Sequence, residues 1–302
     1  MAIQLGNSAV TLKLGTQSVD GYLGSTLVTP PPADPFATLV STKSTGNIDG
    51  IARSTTGYIK VEWWDDTSNV YGTGDAAGNI SWSKAAGAAG EKTIRIYPSD
   101  ASGNLDGSLT MLNCPSNALT SLDASGCTGL VEGLFCYDNS LTSLDVSGLA
   151  EMLNLVCFNN AITSLDVSGC TALGGLVCFN NSLTSLDVSG LTGLERLSCA
   201  SNALTSLDIS RCTAIRTIEC RYNALTSLRA QGVSLTYGQY YSASYTQGGV
   251  QVQDNQLSAA ALNQFYADLL PGTAALLVGN NPGTTGDDPT IATGKGYTVY
   301  GS

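Results

Sequence analysis

The 302 residues predict a mainly β protein. Its body is a solenoid of about eight short coils, preceded by a β-sandwich-like cap and a short N-terminal β arm. Three observations carry this. Asn recurs at 117, 139, 160, 181, 202 and 223, in steps of 22 and then 21 residues. A Cys stands three residues before each of these Asn, at 114, 136, 157, 178, 199 and 220. Charged residues make up only 12% of a chain that is 43% hydrophobic and holds 34 Gly, so it can bury a large core between many turns and is not a disordered polyampholyte.

Residues 1–35 come first. LGNSAV, LGTQSV and LGSTLV begin at Leu5, Leu14 and Leu23, a nine-residue step, and each reads as a short strand after a Gly turn. TPPPADP follows as a Pro-rich linker. Three such strands bury little alone, so they dock on something larger or form an extra sheet of the next segment. The arm resembles the N-terminal segments of tailed-phage structural and fibre proteins, which carry similar LGS-x-x-V units. The resemblance implies an anchor to other virion proteins.

Residues 36–108 hold three candidate strands, in TGYIKVEWWDD, NISWSK and EKTIRIYPSD, separated by turn-rich stretches such as YGTGDAAGN. They predict a small antiparallel sandwich running into the first repeat. It is similar to the PKD-like β domains that precede such repeats in some bacterial proteins.

Residues 109–302 carry the repeat. Leu112, Leu134, Leu155, Leu176, Leu197 and Ile218 stand two residues before the Cys; Leu119, Leu141, Ile162, Leu183, Leu204 and Leu225 stand two after the Asn. The alternation Leu-x-Cys makes a short strand with both side chains inward. The Asn is placed to bond backbone groups at the turn, and stacking turns this into a ladder. A near-constant TSLDVSG then returns across the convex side, its Asp123, Asp145, Asp166, Asp187 and Asp208 stabilising turns. Arg229 breaks that Asp series. The pattern resembles the leucine-rich repeat family in its short bacterial form, over about residues 109–283, with two degenerate copies ending at Asn255 and Asn281. After Asn255, SAAALNQFYADLL predicts a helix capped by Ser258, with Leu262, Phe265, Leu269 and Leu270 on one face, and YTVY predicts a last strand.

The nine Cys predict buried free thiols; the alternative is adjacent-coil disulfides, whose Cα spacing is barely allowed. Val252 and Val278 fill the same inward position in later coils, and Leu149 and Leu191 alternate with Cys127, Cys170 and Cys212 on the convex side, so both positions are apolar packing sites. No CxxC pair suggests a metal.

Several functions are excluded or disfavoured. The chain has no His, which removes Ser-His-Asp and Cys-His catalysis and His-liganded zinc. A net charge of −11 argues against nucleic acid. No apolar run reaches about 18 residues, so membrane insertion is not expected. The N-terminus does not read as a Sec signal. Asp65-Asp66 and Asp287-Asp288 sit in turn-like contexts, and no cofactor fingerprint occurs, so no enzyme activity, catalytic residue, metal or cofactor is expected.

What remains is a binding surface. On the concave sheet Phe135, Tyr137, Val156, Phe158, Val177 and Phe179 face outward, a stripe that marks a contact. The alternatives are stacked aromatics that only stiffen the sheet, or coverage by another part of the chain. A second candidate is the insertion between Asn223 and Asn255, whose Tyr237, Tyr240, Tyr241 and Tyr245 stand among Ser and Gly as in antibody paratopes; the bland alternative is a polar loop packed on the cap. The expected function is a non-enzymatic bacteriophage virion protein of tail, fibre or capsid. It would be oligomeric in the particle and present its repeats to neighbouring subunits or to a host receptor, protein or glycan. The alternative is a bacterial cell-surface or secreted leucine-rich-repeat adhesin, and a third class is an intracellular scaffold.

Overall fold

A computed structural model describes residues 109–124, 127–236 and 250–301, together with eight strands and a few adjoining positions before residue 109. The chain divides into two compact units, Met1–Asp34 and Pro35–Ser302. The first holds an antiparallel pair, β1 (Val10–Leu14) and β2 (Gln17–Gly21), with Val10 opposite Gly21. LGTQSV runs from the end of β1 into β2; LGSTLV lies outside the described residues.

The second unit opens with β3 (Ala37–Ser41), β4 (Asn47–Ser54), β5 (Tyr58–Glu62), β6 (Ser68–Gly72), β7 (Ile80–Ala85) and β8 (Lys92–Ser99). The three segments predicted from the sequence are β5, β7 and β8. The first coil then contributes β9 (Leu109–Asn113) and β10 (Leu119–Asp123), one to each of two sheets. In a five-stranded sheet the order is β10-β3-β8-β5-β6, with Leu39 opposite Leu122. In the other, β4 lies antiparallel on β9, with Ala52 opposite Leu112, and β7 forms the edge. The two layers of the sandwich thus continue the two sides of the solenoid, and the open end of the first coil is covered by paired backbone.

From β9 onward the long sheet grows by parallel addition of one strand per coil: β11 (Gly133–Phe135), β12 (Asn154–Val156), β13 (Gly175–Val177) and β14 (Arg196–Ser198). On the return side β15 (Ser206–Asp208) pairs β17 (Ser227–Arg229), in parallel, around β16 (Thr217–Glu219), which continues the long sheet. Two degenerate coils add β18 (Val250–Gln251) and β19 (Ala275–Leu277), and β20 (Thr298–Tyr300) closes the eleven-stranded sheet. The strands stack in exact phase with the repeat: Leu112, Leu134, Leu155, Leu176, Leu197 and Ile218 are successive partners, and all are fully buried.

All nine Cys are buried free thiols. Burial pushes the Cys114, Cys157 and Cys220 thiols up to about 12 and holds Cys136, Cys178 and Cys199 well above the ordinary value. A thiol-specific reagent at neutral pH should therefore titrate almost no Cys in the native chain and nine after denaturation. Six rapidly reacting native thiols would contradict the inward assignment.

Each Asn holds three strands of backbone together. Asn181 Oδ1 accepts from the Ile162 N–H of the preceding coil at 3.0 Å, while its amide donates to the carbonyls of Cys157 and Cys178 at 3.0 and 3.1 Å. The same pattern runs from Asn139 through Asn281. The first rung differs: Asn117 has no preceding coil and instead bonds both the N–H and the carbonyl of Asp49 on β4, at 3.0 and 2.6 Å. The ladder is thereby continued into the sandwich. The residue before each ladder Asn is left-handed, with φ between 51° and 58° at Ser116, Asp138, Asn159, Asn180, Ser201, Tyr222, Asp254 and Asn280. Seven of these eight are Asp, Asn or Ser with a polar side chain suited to this conformation, and Tyr222 is the exception.

The far end is closed by α1 (Ala259–Asp268), whose N-cap Ser258 accepts from Ala261 N–H. Leu262, Phe265, Tyr266 and Leu269 are buried. Leu270, expected on that face, is 48% exposed: the helix ends at Asp268 and Leu269 is already extended, so Leu270 falls outside the helical period. The Lys295 ammonium donates to the carbonyls of Tyr266, Ala267 and Leu269, satisfying the helix C-terminus. Lys295 directly follows the short α2 (Thr290–Thr293) and Gly294.

Candidate functional site: the outer face of the long sheet

Strand alternation turns one side chain outward between each inward Leu and Cys, and a second just after the Cys. The first row runs Asn113, Phe135, Val156, Val177, Ser198, Glu219 and Gln251, partner to partner. The predicted Phe135, Tyr137, Val156, Phe158, Val177 and Phe179 come together on this face, each half-buried. Tyr137 stacks on Phe158 with centroids 4.7 Å apart and planes 12° off parallel; Phe158 stacks on Phe179 at 4.4 Å and 9°. The rings cover one another's faces, and their edges look outward.

Beyond the fourth coil the face becomes polar. Ser198 Oγ donates to Glu219 Oε2 at 2.8 Å, and Arg221 pairs with Glu219 at 2.8 Å. Ser198, Ala200 and Glu219 point away from the core yet are buried, at 1%, 3% and 6% exposure, so this half of the face offers little open surface. Tyr237, Tyr240, Tyr241 and Tyr245 lie outside the described residues.

A third feature beside the stripe was not anticipated from the sequence. An open depression of about 430 Å³ is lined by Met111, Asn113, Glu132, Phe135, Leu153 and Asn154. Leu153 is 46% and Val131 43% exposed, at positions that later coils fill with Gly174, Glu195 and Arg216. Two glycines keep this region low. Gly133 has φ 153°, and a Cβ there would meet the Asn154 carbonyl at 2.7 Å; a Cβ on Gly175 would meet Asn154 Oδ1 at 2.9 Å. Asn154 lies between them and donates to the Glu132 carbonyl at 3.1 Å. The legible signal was the break in the repeat at Val131 and Leu153.

The other polar candidates serve structure. Asp145, Asp166, Asp187 and Asp208 each accept from the N–H two residues on, at 2.9 to 3.0 Å, and this bond lowers the Asp166 and Asp187 carboxyls. Arg229, the departure from that series, meets Asp268 of α1 at 2.7 Å. Burial works against the Asp268 carboxylate, but Arg229, the Ala230 N–H and Gln264 together hold it below the usual range. The irregular residue is thus the one that ties the last regular coil to the helix. Asp65 pairs with Lys84, Asp287 accepts from Tyr266, and Asp288 accepts from Thr290. Among the described residues no group of three His, Cys, Asp or Glu could hold a metal, and no helix is long and apolar enough to cross a membrane.

No protein-family model matches the sequence, and no curated protein matches it. Among solved structures, the functional domain of InlJ from Listeria monocytogenes, described as including a cysteine ladder, is 27% identical over 61% of this chain and 47% of that one, with a TM-score of 0.39. The leucine-rich repeat domain of APL1B is 19% identical over 56% of this chain and 48% of that one, with a TM-score of 0.42. An internalin C2 from Listeria monocytogenes is 17% identical over 63% and 80%, with a TM-score of 0.38. This chain therefore spans about half the length of the first two. The in-phase parallel strands, the inward Leu and Cys and the Asn on every coil make the chain, by fold, a leucine-rich-repeat solenoid.

Proposed function

We propose that this chain is a non-enzymatic protein-binding module of the adhesin type, acting at a bacterial cell surface or after secretion, and that it holds its partner on the stripe from Phe135 to Phe179. The observation that carries this is the stripe itself. Six large apolar side chains stand half-open on a rigid sheet, and their orientation is fixed by the coil register and not by loop conformation. Rigid aromatic anchors of this kind dominate protein interfaces, because little side-chain entropy is lost when they bind. The stacked rings also stiffen the sheet, which preorganises the surface.

The test is binding of the intact chain to an array of extracellular protein domains and to a glycan array. Binding to protein spots is expected, with Phe158→Ala and Phe179→Ala each weakening it by roughly 1–3 kcal/mol, about 5- to 150-fold. Undiminished binding by the double variant would remove the stripe from the contact and leave the Tyr-rich insertion, Tyr237 to Tyr245, as the candidate. Binding confined to the glycan array would contradict a protein partner.

A second reading keeps the virion. The arm at residues 1–35, with its phage-like LGS units, supports it, and Met1–Asp34 is a compact unit of its own. In that reading deletion of residues 1–34 abolishes incorporation into the particle and leaves the melting temperature of the repeats unchanged. Normal assembly of the truncated chain would rule it out.

A further inference from the structure

We infer that a second copy of the chain closes the stripe in the free protein, in an isologous dimer whose two-fold axis runs along the strands between β12 and β13. The inference rests on the reading that this face binds protein, and it names the partner of the free state; an outside protein binds by displacing the second copy. Charge supplies the first argument. Residues 127–180 hold five acids, Glu132 and Asp138 among them, and neither Lys nor Arg. Residues 181–236 hold five Arg, including Arg196 and Arg216, against four acids. One half of the solenoid is thus wholly acidic, and the other carries its cations. Two copies laid face to face with their coil order reversed set the acidic half of each against the Arg-bearing half of the other.

Side-chain size supplies the second. An axis along the strands keeps each residue at its own height, so β12 meets β13 of the other copy and β11 meets β14. Leu153, 46% exposed, then stands opposite Gly174, and Asn154 opposite Gly175, because these glycines fill the same two positions one coil on. The ridge on one copy enters the gap on the other, and symmetry makes the same contact twice. Val156 meets Val177 and Phe158 meets Phe179, four side chains that are all half-open in the single chain. Phe135 comes over the short Ser198. Glu132 stands one residue before the strand position that Arg196 fills three coils on, so the two half-exposed groups meet across the dimer. Exposed charge pairs of this kind fix register more than affinity, which the apolar centre supplies. An axis through β12 itself would face Gly133 with Gly175 and Met111 with Arg196, and would lose both the fit and the opposite charges.

Sedimentation of the intact chain should show a dimer that dissociates on dilution. Glu132→Arg and Arg196→Glu should each weaken it about tenfold or more, since a reversed charge acts twice in a symmetric pair. Mixed in equal amounts, the two variants should dimerise again, because each then meets the opposite charge at both contacts. Size gives a test free of charge. A Cβ on Gly174 would meet the Leu153 carbonyl at an ordinary 3.7 Å, and later coils carry Glu195 and Arg216 there, so Gly174→Leu is compatible with the fold. It sets Leu against Leu153 of the other copy and should weaken the dimer; adding Leu153→Ala in the same chain should restore it. Circular dichroism checks that each variant is folded. A wild type that stays monomeric up to about 1 mM overturns the inference. So does an open series of larger species, which would mean head-to-tail contact, or a mixture of the two charge variants that does not pair. The two readings fail separately. A monomeric wild type whose array binding falls in Phe158→Ala/Phe179→Ala sinks the dimer alone. A dimer whose array binding is unchanged in that variant sinks the outside partner's use of the stripe alone.

Discussion

Replacing Asn181 by Ala should lower the stability of the Pro35–Ser302 unit by about 1–3 kcal/mol, read as a fall in the urea midpoint at unchanged slope. The size follows from what the side chain holds. Its loss leaves the Ile162 N–H without its partner and takes one of two Asn donors from each of the Cys157 and Cys178 carbonyls, which keep Asn160 and Asn202, in a stretch where the flanking side chains are buried. An orphaned buried N–H costs about 1–3 kcal/mol, and water cannot enter between stacked coils without separating them. Asn181→Asp should do no better, because a carboxylate faces two carbonyls where the amide donated to both. Ser182→Ala, exposed beside it, should change stability by less than about 0.5 kcal/mol. A loss below about 1 kcal/mol for Asn181→Ala would mean that the strand ladder alone holds the coils.

The second large effect is alkaline unfolding. The ordinary thiol value is 9.0, and burial raises Cys114, Cys157 and Cys220 to about 12 and Cys136, Cys178 and Cys199 also well above 9.0. The folded thiols stay protonated where the unfolded ones ionise. The native state then binds more protons, so stability is fully present below pH 9 and falls as pH rises from there toward 12. Each thiol contributes a slope approaching about 1.4 kcal/mol per pH unit in that window, and six in one stack make the fall steep. The chain should unfold cooperatively between about pH 9 and pH 11. Cys157→Val and Cys178→Val copy the residue that Val252 and Val278 place at the same position, and should flatten the slope one thiol at a time. A stability that stays level across this window would show that the thiols are reached by water.

The solenoid was legible because its signals are local and repeated. Leu, Cys and Asn recur in phase, and each position admits one environment, so Leu176 inward and Phe179 outward follow from alternation alone. The Ser258 cap and the Thr298–Tyr300 strand were legible for the same local reason. The misses need distant contacts. Arg229 stood out as irregular, but its partner Asp268 is 39 residues away across the insertion. Leu270 was misassigned because the helical period was carried past the end of the helix. In residues 36–108, β3, β4 and β6 went unseen: NIDGIARS and SNVYG carry Gly, Asn and Ser where alternation would need β-branched residues, and pairing with β9 of the first coil makes the one a strand, pairing with β5 the other. The depression is lined by Met111, Phe135 and Leu153 from three successive coils, and only the stacked register brings them together.

The central claim is that the Phe rings belong to a partner and the Leu side chains to the core. The most direct measurement is the melting temperature of the double variant Phe158→Ala/Phe179→Ala beside that of Leu176→Ala, with binding to the protein array recorded on the same samples. Leu176 is fully buried, so its truncation opens a cavity and should cost about 2–5 kcal/mol. The two rings are half-buried and lose mainly their stacking, about 0.5–1.5 kcal/mol per pair. The expected result is a double variant that melts close to the wild type and no longer binds, next to a Leu176→Ala chain that melts well below both. A double variant that melts as low as Leu176→Ala, or that binds as the wild type does, would contradict the claim.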